Sequence, residues 1–145
     1  MTLLQVSLTE SAAAEIRRLA VAAYPHEGCG VLVGRYAASS VSVVEATSGR
    51  NLWADRLGDR YDLDPAHIQT VDRGARARGL DVVGFWHSHP DHLAWPSQLD
   101  SDRAWTDSAY LIVSSRSGGT GDLNAFAVAR EGEGLHPVAL AGEGA

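Results

Sequence analysis

The spacing of apolar residues along the chain predicts two long helices. Within residues 10–23 such positions recur every three or four residues, as on one buried helix face: Ile16, Leu19, Ala20 and Ala23. Pro25 follows and cannot continue that helix. A second helix is predicted over residues 65–78, because proline is favoured at the first helical position.

Short runs rich in β-branched and aromatic residues predict strands before, between and after these helices. They cover residues 3–8, 29–36, 41–47, 80–86, 110–114, 123–129 and 135–140. Residues 37–40 are expected to turn the second strand into the third as a hairpin, and residues 97–105 are expected to form a short helix. This order predicts an α/β fold, a mixed β-sheet with helices packed on its faces.

Length and composition favour one globular domain over residues 1–145, with a frayed tail at about 142–145. An apolar content of 45% is ordinary for such a domain. We expect no signal peptide and no membrane helix, because the start lacks a basic region and no apolar run is long enough. The single cysteine suits a reducing cytoplasm, and a net charge of −6 argues against a nucleic-acid partner.

Candidate chemistry follows the predicted strand at residues 80–86. His87 and His89 are two positions apart, and alternate residues of an extended chain point to the same side, so both imidazoles can bind one ion. Ser97 and Asp100 share a face of the next helix, and a turn would bring the aspartate to the histidines. Two nitrogens and one oxygen leave a fourth tetrahedral position for water, as in catalytic zinc sites.

These residues also have plainer interpretations. Ser97 and Asp100 match a helix capping box, which is compatible with metal binding because a cap would hold the carboxylate in place. A single histidine at a strand end is usually only a polar terminus, and four histidines lack the paired spacing: His26, His67, His92 and His136. Among these, His92 lies in the loop beside the site, where it either contacts metal or substrate or is simply exposed.

Glu27 is the candidate general base. It precedes an apolar strand and is followed by Gly28 and Gly30, which allow backbones to approach closely. A glutamate beside a metal, without binding it, can take a proton from water and return it to a leaving amine. The alternative is an ordinary exposed loop glutamate.

The chain resembles the JAMM (MPN+) family of zinc metallopeptidases in the order and spacing of these residues: Glu27, His87-Ser88-His89-Pro90, Ser97 and Asp100. Residues 26–30 also resemble the family's glutamate strand, and Asn51 with residues 60–65 resembles the segment that usually follows. The resemblance runs from about Thr9 to about Val128. It is greatest for short, free-standing bacterial members that act with ubiquitin-like sulfur carrier proteins.

The resemblance implies an MPN fold, a three-layer α/β arrangement, with one Zn²⁺ per chain held by three ligands: His87, His89 and Asp100. It implies that Glu27 is the general base that later protonates the leaving amine. It implies that Ser97 donates a hydrogen bond to the oxyanion of the tetrahedral intermediate. In this scheme Cys29 is a small buried residue and not a nucleophile, because water attacks.

The resemblance also implies a substrate, namely a peptide or isopeptide bond after the C-terminal Gly-Gly of a ubiquitin-like or sulfur-carrier protein of the ThiS or MoaD type. Trp95 departs from the smaller or charged residue that short bacterial relatives often carry, so substrate preference does not transfer directly. The segment after the metal helix is short, which argues against a polyubiquitin specialist. Residues 48–60 are either a flap over the groove or an ordinary connector.

Three functions other than a zinc peptidase would also use some of these residues. A non-catalytic MPN-type scaffold or metal-binding module would have lost key residues, and all five are present here. A zinc deaminase would carry H-x-E and P-C-x-x-C, and the sequence has neither. A metal-storage or metal-sensing module would use His87 and His89 but would not need Glu27. The sequence leaves the oligomeric state undetermined.

Overall fold

Seven strands and three helices form the part of the chain that the structure, a computed structural model, describes: residues 3–52, 62–130 and 132–142. The strands are β1 Gln5–Leu8, β2 Cys29–Ala37, β3 Ser40–Ala46, β4 Asp81–Pro90, β5 Ala109–Arg116, β6 Gly119–Val128 and β7 Leu135–Gly142. The helices are α1 Glu10–Ala23, α2 Pro65–Ala77 and α3 Gln98–Arg103. Within the described residues no helix is both long and apolar enough to cross a membrane.

The strands form one mixed sheet that closes into a barrel in the order β1-β3-β2-β4-β5-β6-β7. Strand β1 pairs in parallel with both β3 and β7, and β4 pairs in parallel with β5, whereas the other neighbours are antiparallel. The predicted mixed sheet is therefore confirmed. Its closure, which the strand pattern does not predict, depends on the pairing of the first strand with the last.

Helix α1 packs against one side of this curved sheet. Thr9 caps it, accepting a hydrogen bond from the Ala12 N–H at 3.2 Å. The buried side of α1 joins a core to which every one of the described strands contributes; its largest fully buried members are Ile16, Leu32, Trp86 and Leu111. The predicted apolar stripe of this helix is thus core.

Helix α2 packs on the opposite side of the sheet and makes the third layer. Strand residues adjacent to those of the α1 core point this way, as alternation along a strand requires: Val31, Phe85, Tyr110, Ile112 and Phe126. Ile68 and Val71 of α2 pack against them. The predicted arrangement of helices on both faces is confirmed.

Strand β4 is longer than the sequence predicts, and this decides where the metal-binding candidates lie. It continues past Trp86 to Pro90, so His87 and His89 lie within its last residues. The extension is stabilised from one side by β5, whose Ile112 and Ser114 pair with the two histidines. Helix α3 is shorter than predicted and ends at Arg103.

Candidate metal centre

The pairing of β2 with β4 carries Glu27 to the histidines. In the antiparallel register Cys29 lies opposite His87, so the chain just before β2 runs beside the residues that follow His87. Two hydrogen bonds between Gly28 and Ser88 hold these two segments together. The Ser88 N–H donates to the Gly28 carbonyl at 3.0 Å, and the Gly28 N–H donates to Ser88 Oγ at 2.8 Å.

Three potential ligand atoms form a nearly equilateral triangle. His87 Nε2 and His89 Nε2 are 3.1 Å apart, and Asp100 Oδ2 lies 3.2 Å from the first and 3.1 Å from the second. Ligands of a tetrahedral zinc ion with bonds of about 2.0 Å are separated by about 3.3 Å. The three side chains that the sequence nominated therefore fit one face of a zinc coordination sphere.

The backbone of the next loop selects the useful tautomer of His89. Its Nδ1 lies 3.0 Å from the Leu93 carbonyl oxygen, which can only accept a hydrogen bond, so Nδ1 carries the proton. Nε2, which faces the triangle, is then the ring nitrogen left for a metal. Such a bond to the second ring nitrogen is the usual support of a metal-binding histidine.

The charge states of His87 and Asp100 also suit a metal. Burial lowers the pKa of His87 and outweighs the opposing effect of its hydrogen bond to Asp100, which keeps this imidazole neutral. Burial alone would raise the pKa of Asp100, but hydrogen bonds from both histidines and from the Ser97 N–H hold that pKa below its usual range. Burial acts to lower the pKa of His89 as well, but the hydrogen bonds with Asp100 and with the Leu93 carbonyl leave it raised. An ionised carboxylate therefore faces the two imidazoles.

The capping box predicted at the start of α3 is present and holds Asp100. The Ser97 N–H donates to Asp100 Oδ2 at 2.8 Å, and the Asp100 N–H donates to Ser97 Oγ at 3.1 Å. The oxygen that serves the cap is the same one that meets both histidines. One geometry is thus compatible with both the structural and the metal-binding interpretation of this motif, and the Ser97 hydroxyl keeps its own proton for donation.

Glu27 is buried, with 5% of its surface exposed, and is not an ordinary loop glutamate. One of its carboxylate oxygens lies within 4.8 Å of a ring nitrogen of His87 and of His89. Asn51 donates to the Glu27 carbonyl at 3.0 Å and accepts from the Asp62 N–H at 2.9 Å, which ties this segment to the chain before α2.

Sequence reasoning missed one residue that shapes the site. Ser88 is fully buried and receives the Gly28 N–H, yet it appeared in the sequence only as the spacer between two histidines. Its position could have indicated this burial, because a polar residue between two ligands on a strand must point to the opposite face. Asn51 was noted only through the family resemblance, and its clamp on Glu27 depends on a contact distant in sequence.

Cys29 is buried in surroundings that do not suit a nucleophile. Burial raises the pKa of its thiol to about 12, with smaller contributions from the charges of Glu27 and Asp62. The reactive thiolate is therefore absent at neutral pH. This agrees with the prediction that it is a small buried side chain.

Two cavities adjoin the triangle of ligand atoms. One of about 440 Å³ is lined by Glu27, His89, His92, Leu93, Trp95 and Ser97, so His92 faces the same space as the catalytic candidates. The other, of about 250 Å³, lies on the far side of Asp100 and is lined mainly by apolar side chains, among them Ile68, Phe85 and Trp105. The segment predicted as flap or connector, residues 48–60, falls largely outside the described residues.

Comparison with known proteins gives a family match over most of the chain. The family described as prokaryotic homologs of the JAB domain matches residues 9–129. The desampylase of Haloferax volcanii is 39% identical over 92 residues, which cover 62% of this chain and 63% of that protein. The deubiquitinase MYSM1 of Homo sapiens is 32% identical over 92 residues, 63% of this chain and 11% of that protein. The chain thus matches less than two thirds of the length of either relative.

Two solved structures have a similar fold over nearly the full length of this chain. A protein from Desulfitobacterium hafniense has a TM-score of 0.81 at 26% identity, covering 97% of this chain and 94% of that one. A protein from Salinibacter ruber has a TM-score of 0.70 at 34% identity, covering 93% and 91%. The architecture described above is therefore shared with both.

Proposed function

This chain belongs to the family of prokaryotic homologs of the JAB domain, and from that membership we propose that it is a JAMM-type zinc peptidase that releases ubiquitin-like proteins. The observation that carries the proposal is the triangle of ligand atoms with a buried glutamate beside it. One relative is named a desampylase and another a deubiquitinase, which supports a ubiquitin-like protein as the substrate class.

His87, His89 and Asp100 would hold the metal in this proposal. When bound, zinc lowers the pKa of a coordinated water to about 7 and polarises the scissile carbonyl. The protein supplies the rest. The Leu93 carbonyl orients His89, and the capping box orients the carboxylate, so little reorganisation is needed when the metal arrives.

Glu27 is the proton carrier. Its carboxylate accepts a proton from the attacking water and then delivers it to the leaving amine. Glu27 is not a ligand in this assignment, because Asp100 already lies at ligand spacing from both histidines. Ser97 donates its hydroxyl proton to the developing oxyanion, a contact that can contribute roughly 3 kcal/mol.

The bond cleaved follows the C-terminal Gly-Gly of the substrate. Two glycines let an extended backbone pass close to the buried Glu27 and His87 with no side chain to clash. The finer proposal is a sulfur carrier of the ThiS or MoaD type, whose terminal glycine is joined to cysteine, to a lysine or to a masking peptide. Release of such a carrier would make its Gly-Gly end available for sulfur transfer.

Cleavage of a C-terminally extended sulfur-carrier protein by the zinc-loaded enzyme tests the proposal. Glu27→Gln should lower kcat by about 10² to 10⁴, because the proton carrier is lost while the ligands remain. The matched control is Glu10→Gln, since Glu10 is an exposed carboxylate on α1 and this variant should cleave at the wild-type rate. Equal cleavage by wild type and Glu27→Gln would refute the assigned role, and zinc binding without cleavage of any carrier would favour a binding module.

A further inference from the structure

The two cavities beside the metal centre are not equivalent, and their lining indicates how a substrate lies across the site. This argument rests on the proposed function. Glu27 and Ser97 both line the larger cavity, together with His89. The smaller cavity is lined by Asp100 but by neither Glu27 nor Ser97.

Proton delivery sets the direction of the substrate. The leaving amine must come within about 3 Å of Glu27 to receive its proton. The chain beyond that amine therefore departs through a cavity that contains Glu27. A third cavity also touches Glu27, on the side of Gly28 and Asn51, but its described lining includes none of the metal-binding candidates or Ser97, so the scissile bond does not reach it.

The larger cavity, through which the leaving group would pass, has an apolar wall. Leu93 is 75% exposed and Trp95 is 52% exposed, although both are large hydrophobic side chains. Apart from Glu27 and the histidines, the described lining residues carry no ionisable group. Exposed apolar side chains that line a cavity are typical of recognition surfaces.

The wall is held in place on both sides. The Leu93 carbonyl accepts from His89, and the Ala94 carbonyl accepts from Asn124 Nδ2 at 3.0 Å. Trp95 packs edge to face on the buried Phe126, with ring centroids 5.3 Å apart. Because the backbone and the Trp95 ring are already held, this surface needs little ordering on binding, which helps it to discriminate between side chains.

We propose that Leu93 and Trp95 form the subsite for the first residue after the scissile bond, and that this subsite selects an apolar or aromatic side chain. The substrate class is then a ubiquitin-like carrier whose Gly-Gly is followed by a hydrophobic residue. Contact with both side chains favours such a residue over glycine or aspartate there by roughly 10- to 100-fold in kcat/KM.

Matched substrates that differ only at that residue test the proposal. Carriers with phenylalanine, leucine, glycine or aspartate after Gly-Gly are cleaved by the zinc-loaded enzyme, and kcat and KM are measured for each. Leu93→Ala and Trp95→Ala should reduce the preference for phenylalanine over glycine at least several-fold. Trp105→Ala is the matched control, because Trp105 is equally large, 61% exposed and lines the other cavity, so this variant should keep the ratio.

Leu93→Ala keeps the test decisive if Trp95→Ala disturbs the packing on Phe126, since Leu93 is mostly exposed. Binding is measured in parallel, as the Kd of each uncleaved substrate for the Glu27→Gln protein and for the same protein carrying Leu93→Ala. Cleavage with no preference overturns the subsite and leaves the proposed function standing. A binding preference that Leu93→Ala removes, without cleavage by wild type, retains Leu93 and Trp95 as the binding surface for that residue and overturns the proposed function. If neither cleavage nor a binding preference is observed, both the subsite and the proposed function are overturned.

Discussion

At the residue scale, one atom links the local and the long-range requirements of the site. Asp100 Oδ2 accepts the Ser97 N–H and meets the Nε2 atoms of both histidines. Local capping holds the carboxylate before any metal is bound, and its lowered pKa keeps it ionised. The capping pattern and the metal pattern in the sequence are therefore two descriptions of one side chain.

Cys29 supplies a residue-scale prediction. Because burial raises the pKa of its thiol to about 12, the thiol stays protonated at pH 8, well below that value, and thiolate is the reactive form. Native protein should resist iodoacetamide at pH 8 for hours, and urea-unfolded protein should be alkylated within minutes. Mass spectrometry checks both states, and rapid alkylation of the native protein would contradict the assignment of Cys29 as inert.

At the element scale, the parallel pairing of β4 with β5 supports the end of the strand that carries the histidines. Gly84 begins this pairing opposite Ala109, and the two backbones approach so closely that a side chain does not fit. A Cβ on Gly84 would lie 1.9 Å from the Ala109 carbonyl oxygen, which is backbone and cannot rotate away.

Gly84→Ala should therefore lower the free energy of unfolding by about 1–3 kcal/mol. The matched substitution Gly74→Ala, on the exposed side of α2, meets no described atom within 4 Å beyond its own stretch of helix and should raise that free energy by about 0.5–1 kcal/mol. Urea unfolding followed by circular dichroism measures both. Similar values for the two variants would show that the close approach of β4 and β5 is not a constraint.

At the scale of the whole molecule, three segments far apart in the chain meet at the centre. Glu27 comes from the segment before β2, the histidines from β4 and Asp100 from α3. A metal bound by His87, His89 and Asp100 therefore links β4 to α3 and is expected to stabilise the whole fold, because it binds the folded state and not the open chain.

Zinc in excess should raise the melting temperature. At 100 times Kd the added stability is about 2.7 kcal/mol. His89→Ala should remove most of this shift, since a ligand is lost, whereas Glu27→Gln should keep it because Glu27 is assigned as a base and not a ligand. Differential scanning calorimetry with and without chelator checks the three proteins. Loss of the zinc-dependent rise in melting temperature in Glu27→Gln would indicate that Glu27 is a ligand.

Much of the element pattern could be predicted. Helix α1 spans the predicted residues, and α2 and β2 each differ from prediction by one residue at one end. The extension of β4 could not be predicted, because backbone pairing with β5 maintains strand geometry through Pro90. Barrel closure could not be predicted either, since it depends on β1 meeting β7 from the opposite end of the chain.

The sequence by itself determined the zinc-ligand candidates, the capping box and the apolar faces, because strand alternation, helix capping and ligand spacing act over a few neighbouring residues. Only the tertiary structure decided that Glu27 is buried beside the histidines and that Ser88 and Asn51 hold its segment. It also decided that Glu27 and Ser97 line the same cavity, the observation on which the proposed direction of a bound substrate rests. These features arise from strand register and from contacts between distant segments, and local sequence carries no information about such contacts.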